Sequence, residues 1–313
     1  MNEITVTVIC LAYNHEAWIR DALDGFVSQE APFGIEVLVH DDASTDGTAD
    51  IIRDYAARYP DRIHPVLERE NQFSRGIAIG PRLLAPLIHG RYVALCEGDD
   101  YWTDPHKLAK QVAALEAHPE ADICAHRARR VNTAGTRSRG YVAPRLHDAV
   151  LSTDEIILGG GGRFVATASL LCRTEAYKQW TPMREVVVND FVLQLQGAAR
   201  GGMVYLSDCM SAYRTGVPGS WTHRHSGRRT AVRQTMKQML DTFDTWTEGR
   251  FHEAVVRRKA LYDSDDLVAR HKWATMLSPH QLPVTLYQLR RSLARWGRNV
   301  ILSLSVTTCR CPR

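Results

Sequence analysis

Over the first hundred positions, hydrophobic residues alternate between two spacings. Unbroken β-branched and aliphatic runs read as buried strands: ITVTVICLAY (4–13), IEVLVH (35–40), IHPVL (63–67) and RYVALCE (91–97). Between them apolar residues recur with the 3.6-residue period of a helix face, at Ile19, Ala22, Leu23, Phe26 and Val27 and again at Ile51, Ile52, Tyr55, Ala56 and Tyr59. The pattern predicts that Asn14 caps the first of these helices and that a third lies around Leu83 to Ile88. It predicts a fourth opened by Asp104 as cap, with Pro105 at the first helical position. Alternating strands and helices imply an α/β fold with a doubly wound, mostly parallel sheet, whose ligands bind at the carboxyl ends of the strands.

Beyond residue 120 the alternation weakens. ADICAHRARRV (121–131) and RFVATASLLCR (163–173) read as strands flanking a polar, Gly- and Arg-rich loop at 132–148. VVVNDFVLQLQGAAR (186–200) reads as a short strand entering a helix, and MVYL (203–206) and SAYR (211–214) as two short strands. From about 228 the pattern is helical, with Val232, Met236, Leu240 and Phe243 on one stripe. These changes divide the chain into segments 1–105 and 106–227 and a helical C-terminal extension, 228–313.

Composition narrows the class. The chain has 313 residues, 44% hydrophobic and 24% charged, enough for a sizeable core. No apolar run approaches the ~20 residues of a membrane span. The opening MNEITVTVICLAYN lacks a basic leader, so a cytoplasmic protein is expected. Cys10, Cys96, Cys124 and Cys172 sit in apolar runs and read as reduced core thiols. Charge is unevenly distributed. Residues 1–213 carry 21 Lys+Arg against 28 Asp+Glu, a balance of −7, and residues 214–313 carry 18 against 7, a balance of +11. The basic tail reads either as solvated helix faces or as a contact for phosphate, anionic lipid or an acidic partner. RRSLARWGRNVILSLS (290–305) is the candidate helix for peripheral contact with the inner face of a membrane. No nucleic-acid partner is expected.

The candidate chemistry lies where three strands end. AYNH follows the first, HDDAS the second and EGDD the fourth, so the three clusters share one rim. Tyr13 can stack on a planar base, and Asp41 or Asp42 can accept from a base N–H or a ribose hydroxyl. The same two aspartates also suit an Asx turn ahead of a helix. Asp99 and Asp100 suit Mg²⁺ or Mn²⁺, hard ions that bridge to phosphate oxygens. Base, ribose and a metal-bound diphosphate together describe a nucleotide. No glycine loop of the P-loop or dinucleotide type follows the first strand, which argues against kinases and dehydrogenases.

TVICLAYNHEAWIRDALDGFVSQ, EVLVHDDASTDGTADII, ENQFSRG, GRYVALCEGDDYWTDPHKLAKQV and NDFVLQLQGAARG resemble, in order and spacing, family 2 of the inverting glycosyltransferases with the GT-A fold. The resemblance spans roughly residues 4 to 215, and EGDDYWTDP is similar to bacterial enzymes that build surface polysaccharides or decorate small products. It implies a nucleotide-sugar donor, most plausibly a UDP-sugar, and a carbohydrate, lipid-linked or small-molecule acceptor. The implied donor-binding set is Leu11, Ala12, Tyr13 and Asn14, then Asp41 and Asp42, then Arg75 beside the diphosphate and Asp99. Asp100 is implied as metal ligand together with Asp99, and Glu97 holds the first acidic position of that motif. Asp190 matches the family's catalytic base, although Asn189 stands where an acid usually precedes it. Gly216 stands where a histidine often contacts the metal or diphosphate, with His223 or His225 as substitutes. The resemblance assigns 1–105 to the donor, 106–227 to the acceptor and the base, and 228–313 to the basic extension. The alternatives are a sugar-phosphate nucleotidyltransferase, for which AYNHEAW lacks the usual glycine-rich loop, and a nucleotide-sugar-binding protein without catalysis. A phosphoacceptor regulatory module would need a lysine on a late strand, and none is evident.

Overall fold

A computed structural model describes residues 3–187, 190–220 and 229–269. Strand β1 (Ile4–Ala12) is buried along nearly its whole length, as its β-branched run requires. It pairs in parallel with β2 (Gly34–Asp41), which pairs in parallel with β3 (Ile63–Leu67). The chain then returns to the other side of β1 to place β4 (Tyr92–Leu95). The order β3–β2–β1–β4 therefore reverses direction between β1 and β4, and the crevice at their carboxyl ends is the expected ligand position. The sheet continues through β9 (Leu171–Arg173), β6 (Ile123–Val131) and β10 (Met203–Arg214) to β5 (Tyr101–Trp102). Strands β7 (Ser138–Val142) and β8 (Ala149–Leu151) flank β6 and β10. The six strands β1 to β4, β6 and β10 run one way, and the short β5, β7, β8 and β9 run against them. The mostly parallel α/β sheet expected from the sequence is the one observed.

Helices α1 (Ile19–Val27), α2 (Thr48–Arg58) and α3 (Lys107–Ala117) cover one face. The other face carries α4 (Thr153–Gly159) and α7 (Asp190–Ala198), with two short helices, α5 (Thr174–Lys178) and α6 (Met183–Val186), near them. Helices α8 (Arg229–Trp246) and α9 (His252–Ala269) belong to that second layer. Met236, Leu240 and Phe243 of the anticipated stripe are buried in its core, with Val232 against it. Arg250 donates to the Ala199 carbonyl and Arg258 to the Leu158 carbonyl, both at 2.8 Å, so the first half of the extension is docked on the sheet domain. No described helix is long and apolar enough to cross a membrane. The 290–305 segment lies outside the described residues.

Several local expectations are corrected. The first helix starts at Ile19 without a side-chain cap, and the Asn14 side chain accepts from Thr45 N–H at 2.8 Å instead. Around Leu83 there is a π-turn, Ile79–Leu84, followed by a 3₁₀ turn, Ala85–Leu87, because Pro81 and Pro86 supply no N–H to a regular ladder. Asp104 does accept from His106 N–H at 2.8 Å, but α3 begins only at Lys107. Within 163–173 only the last three residues form a strand; Val165, Ala166, Ala168 and Leu170 are apolar because they are buried, around a 3₁₀ turn at Thr167–Ser169. Val186 ends a helical turn rather than starting a strand. MVYL and SAYR are two ends of one strand, whose polar middle is irregular against β6 where Ser207 turns to Asp148. The four apolar-run cysteines are buried and unpaired.

Lys107 is the costly residue of this layer. Its ammonium is fully buried, donates to Gln111 Oε1 at 2.7 Å and lies 3.9 Å from the Trp102 ring centroid. Burial pulls its pKa from 10.5 down to about 7. The unfolded chain therefore holds this proton more tightly than the folded one, so stability rises as pH climbs from about 7 toward 10.5 and falls as pH drops through that window. Lys107→Met is expected to flatten this slope without loss of stability near neutrality. Denaturant melts on either side of the window check it, and an unchanged slope would show that the ammonium is not held as described.

Candidate active site

The three rim segments are bound to one another by main-chain and side-chain hydrogen bonds. Leu11 O accepts from Gly98 N–H at 2.9 Å and Ala12 O from Asp42 N–H at 3.0 Å, so the end of β1 holds both neighbouring loops. Asn14 sits at φ 55°, a conformation asparagine tolerates, and its N–H reaches Ser44 Oγ at 2.8 Å. His15 N–H reaches Thr48 Oγ1 at 2.8 Å. Tyr13, between these anchors, is 41% exposed, so its ring is available rather than part of the core.

Asp41 and Asp42 are both buried, and both organise loops. Asp41 accepts from the Ser44 N–H at 3.1 Å and from the Ser44 hydroxyl, the turn its sequence context suggests. Asp42 accepts from Gln72 N–H at 2.7 Å and Phe73 N–H at 3.1 Å, while its carbonyl accepts from Asn71 Nδ2 at 3.0 Å. Each carboxylate oxygen retains a lone pair for a ligand. Arg75 follows on this second loop, exposed and paired with Glu70 at 2.7 Å.

Glu97, Asp99 and Asp100 form the acidic turn, with one ligand atom from each lying within 4.8 Å of the others. Glu97 is exposed, whereas Asp99 and Asp100 are buried. Gly98 is needed at the bend because a Cβ there would stand 2.8 Å from Ile19 Cδ1 and 2.9 Å from His15 Nδ1. Asp100 Oδ1 accepts from Arg214 N–H at 2.7 Å, and its Oδ2 is buried without a hydrogen-bond partner among the described residues. Burial, and then the charge of Asp99, push the Asp100 carboxyl well above the usual carboxylate range. Such a pair of oxygens is costly unless a cation or a proton arrives, and an oxygen-only donor set of this size fits a hard divalent ion.

Arg214, the last residue of β10, was not singled out by the sequence, which directed attention to a histidine further along. Its side chain is 1% exposed. It donates to the Asp99 carbonyl at 2.8 Å, to the Thr133 carbonyl at 3.1 Å and to the Asp21 carboxylate, and it lies 4.6 Å from the Tyr101 ring centroid. A cleft of about 310 Å³ opens behind the turn, lined by Ala17, Trp18, Asp21, Thr133, Ala134 and Arg214. His15 is a second residue the sequence did not weigh: its Nδ1 is buried without a partner, and burial lowers its pKa.

Asp190 opens α7. Its Oδ2 accepts from Thr167 Oγ1 at 3.4 Å, and a Cβ on Gly162 would lie 3.5 Å away. Gly160 lets this loop pass close to α7, since a Cβ there would meet Phe191 at 2.0 Å. Burial raises the Asp190 pKa, opposed in part by the Phe191 N–H and by Thr167. The turn that supports Asp190 is also tied to the acidic turn, because Trp102 Nε1 donates to the Ala168 carbonyl at 2.9 Å. Gly216 is present where a histidine was sought, and Asn189, His223 and His225 lie outside the described residues.

Known proteins resemble this chain in sequence and in fold. Over 243 residues the chain is 35% identical to an uncharacterized protein of Mycobacterium tuberculosis, covering 75% of this chain and 68% of that one. Over 111 residues, 36% of this chain and 41% of the relative, it is 30% identical to the Escherichia coli UDP-Glc:alpha-D-GlcNAc-diphosphoundecaprenol beta-1,3-glucosyltransferase WfaP. Its fold matches that of S. aureus TarS in complex with UDP-GlcNAc with a TM-score of 0.62 over 91% of this chain and 79% of that one; at 16% identity this is a likeness of fold. Residues 7–179 match the model of glycosyl transferase family 2, and the chain belongs to that family.

Proposed function

We propose that this glycosyltransferase is metal-dependent and inverting, and that it moves a sugar from a nucleotide-sugar, most simply a UDP-sugar, to an acceptor hydroxyl. Bacterial surface polysaccharide or natural-product glycosylation is the setting proposed. The observation that carries the reading is the buried, unpartnered Asp100 Oδ2 beside Asp99 and Glu97 at the switch point of the sheet. The UDP-Glc and UDP-GlcNAc in the names of WfaP and the TarS complex support uridine as the base.

In this reading Tyr13 stacks on the base, while Asp41 and Asp42 hold the loops that frame it and offer their remaining lone pairs to base or ribose. Arg75 reaches the diphosphate by leaving Glu70, an exposed pair that contributes only about 0–1 kcal/mol. Asp99 and Asp100, with Glu97, would hold Mg²⁺ or Mn²⁺. Such an ion, when bound, supplies Lewis-acid neutralisation of charge on the leaving diphosphate. Asp190 takes the proton of the acceptor hydroxyl as that oxygen bonds to the anomeric carbon. The anomeric carbon–oxygen bond to the diphosphate breaks, its electron pair leaves with the nucleoside diphosphate, and attack from the opposite face inverts the configuration. Segment 1–105 thus serves the donor and 106–227 the acceptor, with 228–313 as a supporting extension.

Transfer from UDP-sugars with Mn²⁺ and with EDTA tests the reading. Asp100→Asn keeps an oxygen for Arg214 N–H and is expected to lose Mn²⁺ binding by calorimetry while melting near wild type. Turnover that survives both EDTA and this substitution would remove the metal from the mechanism.

Asp190→Asn is expected to lower kcat by ~10²–10⁴-fold while leaving donor affinity near normal. In the wild type, the base must be ionised and burial raises its pKa. Activity is therefore expected to fall as pH drops through a value above the ordinary 3.8 of an aspartate. A variant with wild-type turnover would place the base elsewhere.

Arg214→Lys removes the fork that joins Asp99, Thr133 and Asp21. Groups that orient metal ligands typically contribute 10–100-fold to metal affinity, so Mn²⁺ binding is expected to weaken by roughly that factor. Unaltered affinity in a folded variant would limit Arg214 to packing.

A further inference from the structure

Lys107, Gln111 and Trp102 form a buried polar chain that the transfer mechanism does not use. Lys107 Nζ donates to Gln111 Oε1 at 2.7 Å. An ammonium can only donate, so it fixes which end of the amide faces it. Gln111 Nε2 is thereby turned to the Ser169 carbonyl at 2.9 Å, with Cys124 Sγ at 3.6 Å as a second contact. The same ammonium lies 3.9 Å from the Trp102 ring centroid, and the Phe26 ring meets Trp102 edge-on at a centroid distance of 4.8 Å. With its ring held by both contacts, Trp102 directs Nε1 to the Ala168 carbonyl at 2.9 Å.

The two acceptors are adjacent residues of one 3₁₀ turn, Thr167–Ser169. The turn is closed on itself. Ser169 gives its N–H and its hydroxyl to the Ala166 carbonyl at 2.9 and 2.6 Å, and Leu170 N–H reaches the Thr167 carbonyl at 3.0 Å. Its first residue, Thr167, donates through Oγ1 to Asp190 Oδ2 at 3.4 Å. A bond of that length is near its limit, so a small displacement of the turn breaks it. Helix α3 and strand β5 therefore reach the Asp190 carboxylate through two side-chain donors on neighbouring carbonyls. A buried ammonium is a costly way to fill this space, as the fall of its pKa to about 7 records, and an apolar side chain would pack there without that penalty. Orienting two donors gives the charge a use.

We propose that Lys107 orients Gln111 and Trp102, that these two clamp the Thr167–Ser169 turn, and that the clamp positions the Asp190 carboxylate for the transfer. The three are positioning residues, acting on the base through Thr167 and not on the sugar. The inference rests on the reading of Asp190 as the base and extends it to the buried layer between the acidic turn and α7. Because Trp102 follows the acidic turn by two residues, the same clamp sets the base against the donor end of the site.

Two variants test it. Lys107→Met/Gln111→Met replaces the ammonium and the amide with side chains of similar length and leaves neither as an unpaired buried side chain. Trp102→Phe keeps a ring beside Lys107 and Phe26 but removes the Nε1 donor. Transfer kinetics and UDP binding with Mn²⁺ are measured for each, alone and combined with Thr167→Val. Each is expected to lower kcat by roughly 10- to 100-fold with UDP affinity near wild type. The Thr167 bond lowers the Asp190 pKa, so losing it raises that pKa. The acid limb of the pH–rate profile, and the Asp190 carboxyl titration followed by ¹³C NMR, are therefore expected to move to higher pH. In the Thr167→Val background the clamp variants are expected to change kcat and the titration little further, since the bond they position is already gone. Additive losses, an unmoved titration, or a fall in UDP affinity matching the fall in kcat would overturn the proposal. Wild-type turnover in Asp190→Asn would instead overturn the reading of the base, while the carboxyl titration would still report whether the clamp holds.

Discussion

The contact between the end of β10 and the acidic turn is the constraint around which the rim is organised. Two buried carboxylates with a third beside them repel each other and lose solvation, so the turn needs a fixed counterpart. Arg214 supplies it twice, through its backbone N–H to Asp100 Oδ1 and through its guanidinium to the Asp99 carbonyl. The same guanidinium anchors Thr133 at the tip of the β6–β7 ribbon and Asp21 on α1. One buried cation thus joins helix, ribbon and turn, while Asp100 Oδ2 is buried without a hydrogen-bond partner among the described residues.

Strand order explains why this happens at one place. Because the sheet reverses its winding between β1 and β4, the loops after β1 and β4 face a common crevice. The Leu11 carbonyl then accepts from Gly98 N–H across that crevice, while the Ala12 carbonyl accepts from Asp42 N–H on the β2 side, so the end of β1 ties both loops. Asp41 and Asp42 are buried carboxylates that build the loops around them. Their bonds to Ser44, Gln72 and Phe73 hold the loops in shape, and that rigidity is what an oriented ligand contact requires.

The second half of the chain contributes differently. Its helices α7, α8 and α9 share one apolar layer, so the basic extension begins as part of the domain's core rather than as a separate appendage. The charge asymmetry read from composition divides accordingly. The acidic rim lies at the carboxyl ends of the strands, and the arginines of the β6–β7 ribbon lie within the half of the chain whose total balance is acidic. Net charge over a long segment had concealed that local inversion.

Sequence alone determined the four strands of the first hundred residues and the helices between the first three, the convergence of three polar clusters, and the residue types gathered there, but not the π and 3₁₀ turns that replace the expected helix around Leu83. Each is a local property: a β-branched run, a 3.6-residue period, or a motif of adjacent acids ahead of a helix. The apolar stripe at Met236, Leu240 and Phe243 was legible for the same reason. Tertiary structure alone decided what those residues touch. Asn14 looked like a helix cap and instead holds a loop thirty residues away, because its backbone takes a left-handed conformation in which its N–H meets Ser44 and its side chain meets Thr45. Arg214 looked like an ordinary end of a strand, since nothing local marks a guanidinium as buried. Its role arises from partners at positions 21, 99, 100 and 133, which the chain brings together only after the sheet closes over them. Periodicity encodes which face of an element is buried, but the partner of a buried charge is set by contacts between distant segments, and those have no periodic trace in the sequence.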